Sequence, residues 1–276
     1  MKIFLFFSLV FPSLTAFAYP ITGAVTTATG GAGVSVVSPM ESPTNNPAAI
    51  PFYSNREVNL SYSKDRFAAF LTDNGQEALF PASVGYEQHY EDDLKNTIYH
   101  LIIAYPLFSS PLSFGINYQM HQMKWINNDQ KYKQNRLNAG LLWKVSNAMN
   151  LGVTYKNKAL NDTDLPDAID NLPLITAGFN YAYMNFIQFR ADIEKVDKSG
   201  VIPHSDKLIF KFGLETYLND WIIARFGYRN DNITSQNFST YGLGFAGPQF
   251  SLNYGYQRES KKTTKDIHLI DLSFPF

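Results

Sequence analysis

Five histidines, His89, His100, His121, His204 and His268, are the most versatile side chains in the sequence. No two of them stand in a His-x3-His spacing that would turn both rings toward one metal. His121 and His204 fall at expected outer rims, where a lone imidazole is a solvated side chain. No Gly-x-Ser-x-Gly elbow occurs, so nothing assembles a nucleophile, a base and an orienting group. Cysteine is absent, which excludes thiolate metal sites, disulfides and lipidated thiols. The reading is a protein that is not an enzyme, with no catalytic residue, metal or cofactor. The chemistry left is ion pairing. Glu87, Lys144, Lys156, Arg190, Asp192, Glu194, Lys211, Glu215, Arg225 and Arg229 carry both signs and recur opposite apolar neighbours.

The elements that hold these charges have a period of two. Ile187, Phe189, Ala191 and Ile193 alternate with Gln188, Arg190, Asp192 and Glu194. Leu112, Phe114, Ile116, Tyr118 and Met120 alternate with Ser113, Gly115, Asn117, Gln119 and His121. Phe250, Leu252, Tyr254 and Tyr256 alternate with Ser251, Asn253, Gly255 and Gln257. Successive strand side chains point to opposite faces, so each segment has one greasy and one polar face. This explains why a chain with 15 % aromatic residues has a mean hydropathy of only −0.19. Its net charge of −1, without a basic block, argues against a nucleic-acid partner.

Residues 1–18, MKIFLFFSLVFPSLTAFA, read as a secretory signal peptide: Lys2, an apolar run, then Ala16-Phe17-Ala18. The rest of the chain offers no run of 18 apolar residues, which excludes membrane helices. Segments of about 9–11 residues suit strands that cross a bilayer at a tilt. Tight connections (146–148, 184–185, 219–220, 247–248) alternate with longer polar ones (122–133, 158–172, 196–206, 230–236, 258–265). Short periplasmic turns and longer outer loops build membrane barrels. The chain ends on Phe274 and Phe276 in an alternating segment, which resembles the terminal-strand signal read by the outer-membrane assembly machinery. The expected fold is all-β: a transmembrane antiparallel β-barrel over residues 57–276, of about 14 strands, with 12 an alternative. The expected location is the bacterial outer membrane, in contact with membrane lipid. The first hairpin fits least well, because 64–65 is tight where loops should be long and 75–81 is long where turns should be short.

Residues 19–56 do not alternate and are rich in Gly, Pro, Thr, Ser and Asn. Within them, Gly30-Gly31-Ala32-Gly33-Val34-Ser35-Val36 is followed by Asn46-Pro47-Ala48-Ala49-Ile50 just before the first strand. This resembles the N-terminal hatch of the long-chain fatty-acid transporter (FadL-like) barrels. The resemblance implies a 14-stranded barrel with a hatch in the lumen, and a hatch motif at Gly30, Gly31, Gly33, Asn46, Pro47 and Ala48. It also implies passage of a small hydrophobic ligand. The chain departs from transporting members in its short outer loops and in polar Thr44 and Asn45 before the motif, as in shorter relatives that serve as secretion or envelope components. Two functions follow: a channel for small hydrophobic molecules such as fatty acids, or a non-transporting scaffold that docks partner proteins. A general porin is a third, disfavoured by the plug. A continuous apolar pocket touching Asn46 favours transport, and a sealed ion-pair network favours the scaffold.

Overall fold

The structure is a computed structural model and describes residues 23–38, 41, 43–91, 93–107, 110–127, 129–161, 173–184, 186–197, 208–261 and 266–276. The expected signal peptide, His204 and most of the connections 160–173 and 197–207 lie outside the described residues.

Fourteen strands follow one another: β1 (Glu57–Ser63), β2 (Arg66–Asp73), β3 (Ala82–Glu91), β4 (Leu94–Pro106), β5 (Leu112–Trp125), β6 (Lys131–Lys144) and β7 (Met149–Ala159), then β8 (Leu174–Tyr183), β9 (Ile187–Val196), β10 (Leu208–Tyr217), β11 (Ile222–Asp231), β12 (Gln236–Ala246), β13 (Ser251–Glu259) and β14 (Ile267–Pro275). Each pairs with its sequence neighbours, and β1 pairs antiparallel with β14, which closes the barrel and removes every sheet edge. At the seam Val58 faces Phe274 and Leu60 faces Leu272.

Parity decides the faces. Leu101, Val153, Phe212, Leu243 and Ile270 stand exposed on the outside, while Asn117, Thr154, Asn180, Thr240 and Asn253 at the opposite parity are buried inside. An outer surface of Phe, Tyr, Leu and Ile has no water-soluble explanation but matches hydrocarbon, and this is the architecture of an outer-membrane barrel. The end carrying 160–173, 197–207 and 260–266 is called the outer end, and the other holds both barrel seam ends and most of the tight turns.

Two sequence expectations are corrected by strand length. Residues 122–133 are not a long polar loop: β5 runs through Trp125 and β6 starts at Lys131, leaving 126–130 as the connection. With 13, 14 and 14 residues, β4, β5 and β6 exceed the expected 9–11, so alternation continues past the apolar zone on polar residues. The irregular first hairpin is kept as it stands, with 64–65 tight and 74–81 long. Among the described residues one bulge interrupts the ladders: the β6–β7 register shifts between Leu137 and Ala139, opposite Asn157, whose φ is +63°.

Candidate functional site in the barrel lumen

The described part of the N-terminal segment, residues 23–53, lies against the inner wall. It contains a short helix, α1 (Ala24–Ala28), and a 3₁₀ turn, Pro47–Phe52, and nearly all of it is buried. It travels around the wall in reverse strand order. α1 packs on β14, β13, β12 and β11, and the 3₁₀ turn packs on β6, β5 and β4.

What lets a backbone approach a strand so closely is a belt of inward glycines. A Cβ at Gly255 would lie 2.3 Å from Ala24 O, at Gly213 2.5 Å from Thr29 Cβ, at Gly152 2.3 Å from Val34 O, and at Gly115 2.4 Å from the Pro47 carbonyl carbon. The belt comes in cross-strand pairs: Gly115 with Gly140, Gly152 with Gly178, Gly213 with Gly227 and Gly242 with Gly255. The strand glycines were in plain sight in the sequence. Their common inward parity was the unused signal that something sits against them.

The motif residues occupy this contact. Gly30 adopts φ +69°, and its backbone presses on the wall at Phe212 and Tyr228, where any side chain would collide. Its N–H donates to Thr240 Oγ1 at 2.9 Å. Gly31 also has positive φ and faces Lys211. Gly33 and Val34 donate their N–H groups to Asp192 Oδ2 at 2.8 and 3.1 Å. Asn46 caps the 3₁₀ turn by accepting from Ala48 N, and its amide donates to Val34 O at 2.7 Å and Leu141 O at 3.1 Å. One side chain thus ties both halves of the segment to the wall. Pro47 starts the turn where no N–H is needed, and Ser113 donates to Ala48 O.

The charged candidates fall into three groups on the inner face. Arg190 bridges Glu41 of the segment and Glu215 of the wall, and Glu215 also accepts from Arg225 Nε at 2.5 Å. Arg225 continues to Asn253 Oδ1 at 2.9 Å. Glu41 is buried and also accepts from Thr26 Oγ1 and Asn45 Nδ2. Buried charges persist only when paired and hydrogen-bonded, and this chain of pairs meets that condition. Asp271 fixes the other end by accepting from Ala24 N at 2.5 Å. Nearer the outer end, Lys211 pairs with Glu194 at 2.8 Å and Arg229 with Asp231 at 2.9 Å. On the opposite wall Glu87 meets Arg66 at 3.2 Å and His100 at 3.5 Å. Lys144 stands apart, 5.3 Å over the ring of Phe52.

His121 corrects the sequence expectation of a solvated rim residue. It is buried on the inner face, 3.4 Å from Asn96 and 3.2 Å from Gln119, because β5 extends beyond it to Trp125. Phe274 points outward near the end of β14, and the Phe276 N–H donates to Arg56 O at 3.0 Å.

The space around Asn46 is filled. Ala48, Ala49, Ile50 and Tyr53 form an apolar cluster with Ala68, Phe70, Ile102, Ala104 and Leu142. Burial pushes the Tyr53 phenol up, with Glu57 and Glu41 adding to it, so it stays neutral. A cavity of about 70 Å³ lies beside Thr26, Gly33 and Asn45, with a mainly polar and charged lining. Among the described residues, no group of His, Asp and Glu gathers as a metal site.

No family model matches the chain, and no curated protein matches it in sequence. Solved structures do match in shape. The chain is similar to the CymD monoaromatic hydrocarbon channel, with a TM-score of 0.65 at 11 % identity over 92 % of this chain and 97 % of that one. It is similar to a Pseudomonas aeruginosa FadL homologue, with a TM-score of 0.66 at 12 % identity over 94 % and 99 %. The Pseudomonas putida toluene transporter TodX matches at 0.58 and 12 % identity over 91 % and 96 %. The fold is therefore that of the FadL-like outer-membrane barrels.

Proposed function

We propose that the chain is an outer-membrane channel for small hydrophobic molecules such as fatty acids, closed by residues 19–56 acting as a hatch. The observation that carries this reading is how the segment is held. It rests on the wall through separate polar contacts, at Asp271, Thr240, Asp192, Arg190 and Leu141, each replaceable by water. No disulfide fixes it. A neutral hydrogen bond contributes about 1 kcal/mol net and a charged one about 1.5–3. Such a set holds a plug closed, yet a ligand can displace it stepwise. On this reading residues 1–18 are cleaved on export, and Phe274 and Phe276 are read by the assembly machinery.

The sealed network from Glu41 through Arg190 and Glu215 to Arg225 favours a second reading, a non-transporting envelope scaffold. Vesicle uptake of labelled dodecanoate and toluene, compared between the full barrel and a variant lacking residues 23–52, separates the two. Flux that is saturable in the full barrel and altered by the deletion supports the channel. Equal, background flux in both, together with recovery of one defined partner, supports the scaffold.

A further inference from the structure

A groove of about 500 Å³ is cut into the outward face of β8–β11, among the side chains that meet hydrocarbon. Ala191 and Leu214 lie in its floor, with the backbone of Gly213 and Gly227. Phe179, Phe189, Phe212, Phe226 and Tyr228 stand around it, and all five are exposed. Arg190 turns its side chain inward to Glu41 and Glu215, so no charged side chain lines the groove.

Register explains the hollow. Ala191 of β9 stands between Phe179 of β8 and Phe212 of β10, and Leu214 stands between Phe189 and Phe226. Neighbouring strands are about 4.8 Å apart, so the backbones beneath two flanking rings are about 10 Å apart. The methyl group of Ala191 leaves a trough between the rings, which are rigid plates with two χ angles each and do not fold down to fill it. The trough also has a direction. Toward the outer end, Phe212 and Phe210 follow Leu214 on the same face of β10 and close it. Toward the tight-turn end the outward residues are Thr216 of β10 and Ala224 of β11, a cross-strand pair of small side chains that leaves it open.

We propose that this groove is a binding site for one acyl chain of a phospholipid in the leaflet on the tight-turn side. The chain enters over Thr216 and Ala224, passes Leu214 between Phe189 and Phe226, and ends on Ala191 against Phe212. The groove is continuous with the lipid-facing wall, so a bilayer chain is the occupant already beside it. In hydrocarbon an empty hollow forfeits dispersion contacts along its whole lining, and a flexible methylene chain restores them. The open end selects the leaflet, because short turns mark the periplasmic side of such barrels. The uncharged lining suits the chain and leaves the headgroup at the membrane edge. The site stands whether or not the barrel conducts.

The test reconstitutes the full barrel in phosphatidylethanolamine vesicles containing an analogue with a photoactivatable diazirine at the chain end. Adducts are mapped by peptide mass spectrometry, and retained lipid is counted by native mass spectrometry after extraction in neutral detergent. Wild type is expected to keep one phospholipid when the others are stripped, and to carry its adducts at 189–191 and 212–214. Ala191→Phe fills the trough and is expected to lower both signals at least about fivefold. Ala69→Phe, outward on β2 between Leu60 and Tyr86, is expected to leave both unchanged. Wild-type adducts spread evenly around the wall, signals undiminished in Ala191→Phe, or an equal loss in Ala69→Phe would each overturn the site. So would cross-links between two copies through Phe212, which would make a second barrel the occupant. The wild-type adduct map needs no variant, so it decides the matter even where Ala191→Phe fails to fold.

Discussion

The glycine belt makes a quantitative claim about what holds the lumen closed. Replace Gly152 and Gly255 by valine together. At Gly152 the new Cβ would lie 2.3 Å from Val34 O and 2.8 Å from Val34 C; at Gly255 it would lie 2.3 Å from Ala24 O and 3.0 Å from Ala24 C. At both positions the three nearest atoms belong to the N-terminal segment and none to the wall. Overpacking costs about 1–3 kcal/mol per site, so the pair destabilises the seated segment by about 2–6 kcal/mol. The same substitutions favour the strands by up to about 1 kcal/mol each. At a midpoint of about 4 kcal/mol the unseated population rises about 10³-fold, since about 1.4 kcal/mol is a factor of ten. The barrel should still fold, seen as heat-dependent gel mobility, and planar bilayers should record frequent openings where wild type is quiet. A double variant that fails to form the barrel would refute the separation of wall from segment. One that folds and conducts as wild type does would refute the belt as the seat.

Other outcomes follow from single contacts. Replacing Asn46 and Pro47 by alanine removes the bonds to Ala48, Val34 and Leu141, and should expose the segment to protease while the barrel keeps its gel mobility. Glu215→Gln leaves Arg190 and Arg225 short of a counter-charge, and should cost about 3–5 kcal/mol in urea unfolding from micelles. Glu41→Gln should raise conductance with little loss of barrel stability, because Glu41 lies on the segment and Arg190 keeps Glu215. Leu79→Glu, at a fully exposed position of the 74–81 connection, should change stability by no more than about 0.5 kcal/mol.

The wall was legible because a barrel in lipid leaves each strand residue only two environments. Alternation in segments such as Phe189–Glu194 or Leu112–His121 therefore states which side chains turn inward. Fourteen strands follow from counting those segments. The resemblance at Gly30–Gly33 and Asn46–Ala48 pointed to an inner segment, but not to its bonds. Asp192 reaches Gly33 across 159 residues, and Arg190 reaches Glu41 across 149, and no local pattern encodes such distances. The misplacement of His121 has a similar cause. Polar residues at 119–124 resemble a loop, yet they form strand because β5 stays paired with β4 through Trp125 and with β6 through Lys124. The pairing of Lys211 with Glu194 was likewise invisible until the strands were in register.

The reverse course of the segment around the wall has a consequence for the order in which the molecule is made. The bond from Asn74 to Tyr53 O spans 21 residues, Ser113 to Ala48 spans 65, Asn46 to Leu141 spans 95, Gly33 to Asp192 spans 159, and Ala24 to Asp271 spans 247. The contacts are nested like the teeth of a zip. Once Tyr53 lies beside the first hairpin, each added strand brings its own seat next to the residues already laid down, and the loop left to close is short at every step. Closing the longest loop first would cost about 2 kcal/mol more than closing the shortest, at about 0.6 kcal/mol per doubling. The N-terminal segment can therefore be wound in as the wall grows from β1, and the strand pair that shuts the barrel, β1 with β14, also brings Asp271 to the N–H of Ala24.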